Sequence, residues 1–173
     1  MAKNYPTTIN GFNCYTDGDL LVGVADEVTL PDFSSTTTTI TGAGVAGSIE
    51  VPIIGFFDAQ DFVIPFRTLV DDTFKVMKPN NIVNVTLRGS IQALDKKTGA
   101  IGMQGMRVSV RGYVKAFSPG SVKVADQMNS SVTLSLVYIL IEVNNDIKIE
   151  LDKLNSKFVV DGIDVMEEMR GLC

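Results

Sequence analysis

From residue 82 onward the chain alternates. Val83, Val85, Leu87, Gly89 and Ile91 share one parity, and Asn84, Thr86, Arg88, Ser90 and Gln92 the other. A period of two over residues 82–94 predicts a half-buried antiparallel strand. Asp95-Lys96-Lys97-Thr98-Gly99 predicts a turn. Residues 106–116 alternate again, with Met106, Val108, Val110 and Val114 on one face and Arg107, Ser109, Arg111, Tyr113 and Lys115 on the other. Ser118-Pro119-Gly120-Ser121 predicts a tight turn. Residues 131–143 are apolar on nearly both faces. Asn144-Asn145-Asp146 then predicts a hairpin into residues 147–151, and Asp161-Gly162 a type I′ hairpin within residues 158–165. A last helical piece is predicted at about residues 164–170.

The first half is less regular. Residues 20–30 read as a strand closed by Pro31. Residues 36–41 are five threonines and one isoleucine, which favour extended structure. A glycine cluster follows, then an apolar run over residues 49–57 broken by Pro52 and another over 62–66 broken by Pro65. Proline confines such runs to sheet edges or arms. One internal helix is predicted at about residues 69–77. Leu69, Val70, Phe74 and Met77 share a face, Asp71 and Asp72 lie in the first turn, and Lys75 and Lys78 in the last. Pro79-Asn80-Asn81 stops it. No linker or repeat divides the chain, so one domain spans residues 1–173, with an arm at about 34–60. The expected fold is mainly β: an antiparallel sandwich or barrel-like module with a flanking helix and a long extended arm.

Composition narrows the chemistry. The 173 residues include no histidine, which removes imidazole triads and imidazole metal sites. Cys14 and Cys173 match no redox or zinc spacing. Net charge is −5, without a basic run, which argues against a sequence-reading nucleic-acid binder. The start has no apolar h-region, and the most apolar stretch, residues 132–143, is short of the ~18 residues of a membrane span. A soluble cytosolic product with free thiols is expected, with no cofactor, metal or catalytic residue.

Gly42-Ala43-Gly44-Val45-Ala46-Gly47 matches G-x-G-x-x-G literally. The dinucleotide mechanism needs a helix to open after it, and Ser48-Ile49-Glu50-Val51-Pro52 cannot supply one. Asp58, Asp61, Asp71 and Asp72 lack calcium-loop spacing. Tyr5, Tyr15, Tyr113 and Tyr138 have no evident base partner. Arg88, Arg107, Arg111 and Lys115 would cluster if their strands pair. A solvated face, or one paired with a neighbouring subunit's carboxylates, is favoured over a nucleic-acid groove.

The strongest signal is apolar crowding between Ile49 and Phe66, which reads as an arm rather than a core strand. A native protein would cover such an arm with another copy of itself.

The chain resembles the major tail tube protein family of contractile-tailed bacteriophages, which includes the tubes of R-type pyocin-like bacteriocin particles. The resemblance lies in Glu27-Val28-Thr29-Leu30-Pro31, in Ile40-Thr41-Gly42-Ala43-Gly44-Val45-Ala46-Gly47-Ser48, in Leu87-Arg88-Gly89 and in Val159-Val160-Asp161-Gly162-Ile163-Asp164, taken in order. The stretch through Asn13 carries no recognised part of the pattern. The resemblance implies a non-enzymatic virion subunit, assembled in the host cytoplasm into stacked hexameric rings. Their strands form one inner barrel, with sheath outside, tape-measure protein or passing DNA inside, and baseplate at the tip. It implies copy-to-copy contacts at Thr38, Thr39, Ile40, Gly42, Gly44, Gly47, Ile49, Val51, Ile53, Ile54, Phe56 and Phe57. Six copies at −5 carry −30 per ring, which repels DNA. The alternatives are a type VI-like secretion or bacteriocin tube, and a small β-barrel nucleotide-binding enzyme using Gly42 to Gly47.

Overall fold

The computed structural model describes residues 4–77 and 80–173. It is mainly β and antiparallel. The strands are β1 (Tyr5–Thr16), β2 (Asp19–Leu20), β3 (Ser35–Ile40), β4 (Ile49–Phe57), β5 (Asp61–Phe66), β6 (Val83–Leu94), β7 (Ile101–Ser118), β8 (Ser130–Val143), β9 (Asp146–Asp152), β10 (Lys157–Val160) and β11 (Ile163–Asp164). Two short helices, α1 (Asp71–Val76) and α2 (Glu167–Leu172), accompany them. The main sheet runs β11-β10-β9-β8-β7-β6-β1-β2, and β3 and β4 form a separate two-stranded sheet.

β8 organises the core. Nearly all of it pairs with β7; its first half also pairs with β5 and its second half with β9. At the register shift where Arg111 faces Tyr138 and Gly112 faces Leu136, Val137 is the extra residue. This bulge inverts the parity. Val132, Leu134 and Leu136 point into the core before it and Ile139 after it. That inversion explains why the stretch reads as apolar on both faces. Asn144 and Asn145 both take positive φ (55° and 65°), as do Asp161 and Gly162 (47° and 86°), so both predicted hairpins form with type I′ signs.

Four expectations are corrected. Residues 62–66 are core, not arm: Phe62, Ile64 and Phe66 are fully buried, and Pro65 is tolerated because β8 is the one strand β5 pairs with and its other edge carries only an isolated bridge, where the Pro65 carbonyl accepts from the Ala25 amide. Residues 20–30 are not a strand beyond Leu20. Gly23 turns the chain at φ +86°, and Val24 makes only an isolated bridge to Phe66. The segment instead lies as an irregular cover, with Leu21 buried and Val24, Val28, Leu30 and Phe33 packed on the core. The predicted helix is shorter and differently phased. Val70 is its extended N-cap, Thr73 and Val76 are buried, and Phe74 is exposed. Lys78 and Pro79 lie outside the described residues. Finally, Ser118-Pro119-Gly120-Ser121 opens a longer loop over residues 119–129, closed by the Ser121 amide donating to the Met128 carbonyl at 2.9 Å.

Candidate functional site

The arm is the β3–β4 hairpin. Its register pairs Ile40 with Ile49, Thr39 with Glu50, Thr38 with Val51 and Thr37 with Pro52. Alternation therefore puts Ile40, Ile49 and Val51 with Thr38 on one face, and Thr37, Thr39, Glu50 and Pro52 on the other. All of β3 is exposed, and Ile40, Ile49, Val51, Ile53, Ile54 and Phe56 remain exposed despite their size. An isolated two-stranded hairpin is marginal in water.

The root is different. Between the Thr37–Pro52 and Ser35–Phe57 pairs, β4 carries extra residues, so Ile53 to Phe56 loop out. Gly55 takes φ +75° there, and a β-carbon on it would overlap the Met166 side chain, which is itself buried at the start of α2. Phe57 turns inward. Its ring meets Phe33 at 6.0 Å and Phe158 at 4.7 Å, both edge-on. The Asp58 amide donates to the Ser34 carbonyl at 3.0 Å, and the Thr36 hydroxyl to the Asp58 carboxylate at 3.2 Å. Of the twelve residues expected at a copy-to-copy contact, Phe57 packs within its own chain, Ile53, Ile54 and Phe56 loop out at the root, and the other eight lie along the projecting hairpin and its tip.

At the tip, residues 41–48 turn in solvent, all exposed except the half-buried Val45. Extra β-carbons on Gly42, Gly44 and Gly47 would meet open space. Gly44 and Gly47 adopt φ of +97° and +113°, a region costly for other residues. β4, not a helix, follows the glycines, so the aligned amides that hold a pyrophosphate are missing from this loop.

The basic residues do share a sheet face; Arg107, Arg111 and Lys115 are partnered by carboxylates of the same chain and Arg88 by the Tyr15 ring. Arg88 and Arg107 sit opposite one another on β6 and β7. Arg107 grips Glu142 through two nitrogens at 2.5 and 2.6 Å. Arg111 lies 3.9 Å above the Tyr138 ring and 4.0 Å from Asp152. Lys115, the extra residue at a second β7 shift, reaches Asp61 at 2.6 Å. Lys157 pairs with Glu150, which also accepts the Tyr138 hydroxyl. Desolvation, then the Glu150 charge, holds the Tyr138 phenol above its ordinary value. Arg88 stacks over Tyr15 at 5.2 Å. Cross-strand opposite-charge pairs of this kind stabilise a sheet modestly and leave its surface nearly neutral.

The other candidates have structural roles. Asp72 accepts the Val22 amide and the Lys75 ammonium, both at 2.7 Å, tying the irregular cover to α1. The Lys75 contact first, and the Val22 amide second, hold its carboxyl below the usual range. Burial pushes the Cys14 thiol up to about 11, so it is a core residue rather than a nucleophile. Among the described residues no three His, Cys, Asp or Glu side chains group to hold a metal. No helix there is long and apolar enough to cross a membrane.

Two features escaped the sequence reading. β1 is a long strand, paired with β6 from Tyr5–Leu94 to Thr16–Val85, and its composition hides it. Beside it lies the second feature, a groove over the core. β1, the irregular cover and Leu87 and Met106 of the sheet enclose a groove of about 730 Å³. Its lining includes Phe12, Cys14, Leu21, Val24 and Val28.

A sequence model of the family described as phage tail tube protein FII matches residues 6–172. The match includes most of the N-terminal stretch in which no resemblance was recognised. The chain is 25% identical over 157 residues to the major tail tube protein of Serratia phage KSP20, covering 91% of this chain and 89% of the relative. It is 26% identical over 169 residues to the tail tube protein of Escherichia phage P2, covering 95% of each.

Proposed function

Because the chain belongs to the phage tail tube protein FII family, we propose that six copies close into a ring and that rings stack into the hollow inner tube of a contractile tail. Phage tail tube proteins are structural components of the virion. Here the tube serves as the conduit through which the genome leaves, with the sheath outside and the tape-measure protein inside before ejection. No catalysis is needed for this role.

The observation that carries the reading is the arm. Its exposed isoleucines, valine and phenylalanine are too many and too close for a chain that stays alone. They contact neighbouring copies and the next ring. The glycines at the tip leave room for another backbone to approach. Burial at about 25 cal/mol per Å² of apolar surface, repeated in every copy, drives association. Closure of the ring removes the exposed edge of β1.

The ion-paired face suits a channel wall. Each of Arg107, Arg111, Lys115 and Lys157 already holds a carboxylate, so passing phosphates meet few free cations. Negative-stain microscopy of concentrated protein tests the assembly. Hollow rings or tubes are expected; a monodisperse monomer at every protein and salt concentration refutes it. Replacing residues 37–52 by a short turn, with Phe57 kept, leaves a folded chain that forms no tube. Normal tubes from that variant would remove the arm from the contact.

A further inference from the structure

We infer that the apolar face of one copy's arm seats in the groove beside β1 of the next copy, so that chains join head to tail. The inference rests on the tube reading and names the surface that receives the arm. Three observations carry it.

First, the groove lies directly over the core, with exposed apolar lips. Cys14, Leu21 and Leu87 belong to the buried cluster, yet they line a groove whose lips, Ile9 and Val22, are 53% and 63% exposed. A volume of about 730 Å³ falls in the range of sites that bury a ligand, roughly 300–1,000 Å³. The exposed lips Ile9, Leu20 and Val22 are apolar surface that an apolar insert takes out of water.

Second, the arm has the matching chemistry. Ile40, Ile49 and Val51 form one apolar face. Glu50, the one charged residue in β3 and β4, lies on the other face with Thr37, Thr39 and Pro52. Seating the apolar face therefore buries no charge of the arm, and of the charged residues that line the groove, Asp26, Glu27 and Arg67, the Arg67–Asp26 pair is already made at 3.1 Å. Within one chain the arm lies in solvent and the groove stays open, so neither surface satisfies the other at home.

Third, the two surfaces are different patches. The groove adjoins β1 and β2, at one end of the strand order. The arm is rooted on Phe158 of β10 and Met166 beside α2, at the other end. Contact between unlike patches is heterologous, and repeats into rings or filaments rather than stopping at a dimer.

The test uses the full chain in a Cys173→Ser background. One tagged copy carries Ile49→Cys, and a differently tagged copy carries Val22→Cys, at the groove lip. A short bismaleimide added to mixed, assembling protein is expected to join the two tags. The native Cys14 reacts slowly because its thiol is buried and its pKa is raised. In parallel, Val22→Lys is expected to raise the concentration needed for assembly by at least about tenfold. The diluted variant should unfold at the wild-type temperature, since Val22 is exposed. Tubes that form without the mixed cross-link, or equally well with Val22→Lys, overturn this contact while leaving the tube reading intact. So does a groove that binds an apolar dye as well in tubes as in monomers, which would assign it to a small apolar molecule. A wild type that never assembles overturns both.

Discussion

Phe57→Ala tests whether the arm is held only at its root. The ring meets Phe33 at 6.0 Å with planes at 86°, and Phe158 at 4.7 Å with planes at 64°. Each such pair contributes about 0.5–1.5 kcal/mol beyond its buried area. The ring is half-buried, so lost burial adds about half of the ~1.5–3 kcal/mol of a fully buried large side chain. Together the loss is about 2–4 kcal/mol, or roughly 5–15 °C at ~2–4 °C per kcal/mol for a chain of this size. Scanning calorimetry should be run at a dilution where the wild type is monomeric, because association raises the apparent midpoint. Phe57→Leu, which keeps burial but loses both ring contacts, should fall between the two. A double-mutant cycle with Phe158→Ala should return a coupling of about 0.5–1.5 kcal/mol. Ile54→Ala, at a side chain 63% exposed, should stay within about 0.5 kcal/mol. If Phe57→Ala melts with the wild type while Ile54→Ala does not, the root has been placed in the wrong residues.

Three further outcomes follow from the geometry. Gly112→Ala puts a β-carbon onto the Ser135 carbonyl with Leu136 Cα only 3.2 Å away, at the bulge that fixes the parity of β8. It should cost at least about 1–3 kcal/mol, read by urea unfolding, and an unchanged midpoint would show that the bulge yields freely. Asp72 titrates lower folded than the roughly 3.9 of an unfolded chain. Its stabilisation is therefore complete above that value and is lost as pH falls through the lower folded one. Asp72→Asn should flatten the acid limb of a circular-dichroism titration relative to wild type; identical limbs would discount the tie to Val22 and Lys75. Glu142→Gln frees Arg107 opposite Arg88. Stability should fall by about 1 kcal/mol, because Arg107 is 44% exposed while Glu142 is only 12% exposed. Duplex DNA binding at low salt should rise and then fall as salt is added, and anisotropy that matches the wild type would deny the pairing that role.

Much of the fold is legible because alternation and turn chemistry agree. β6, β7 and the two type I′ hairpins follow from parity and from Asn144-Asn145 and Asp161-Gly162. The misreadings have specific causes. β1 is hidden because Thr7, Thr8, Asn10, Gly11 and Asn13 give its outer half no apolar period, so its register is set by β6 rather than by its own pattern. Residues 20–30 carry strand composition, yet Gly23 and the Asp72 bond to the Val22 amide turn them into a cover. The α1 face is misphased because Val70 is extended, and a helix this short takes its phase from where it starts. β5 and the arm look alike locally, both apolar and both interrupted by proline. Only pairing with β8 separates a core strand from a projecting one, and that pairing is non-local. The arm itself is readable because its threonines and glycines mark a segment that no core can hold. Its receiving groove is not, because it is made by segments far apart in the chain.

The glycine tip also has a kinetic meaning. Within residues 41–48 the three glycines face open space and local backbone bonds close the turn, Val45 to Gly42 at 3.1 Å and Gly47 to Val45 at 3.0 Å. Fixing each residue against a neighbour costs about 1–2 kcal/mol of chain entropy, so ordering such a tip costs on the order of 10 kcal/mol. Two free chains that collide must meet that cost before a single apolar face has closed. An existing tube end, which offers several surfaces at once, offsets it far sooner. On the tube reading, such a tip favours addition to an existing end over a start from two free copies.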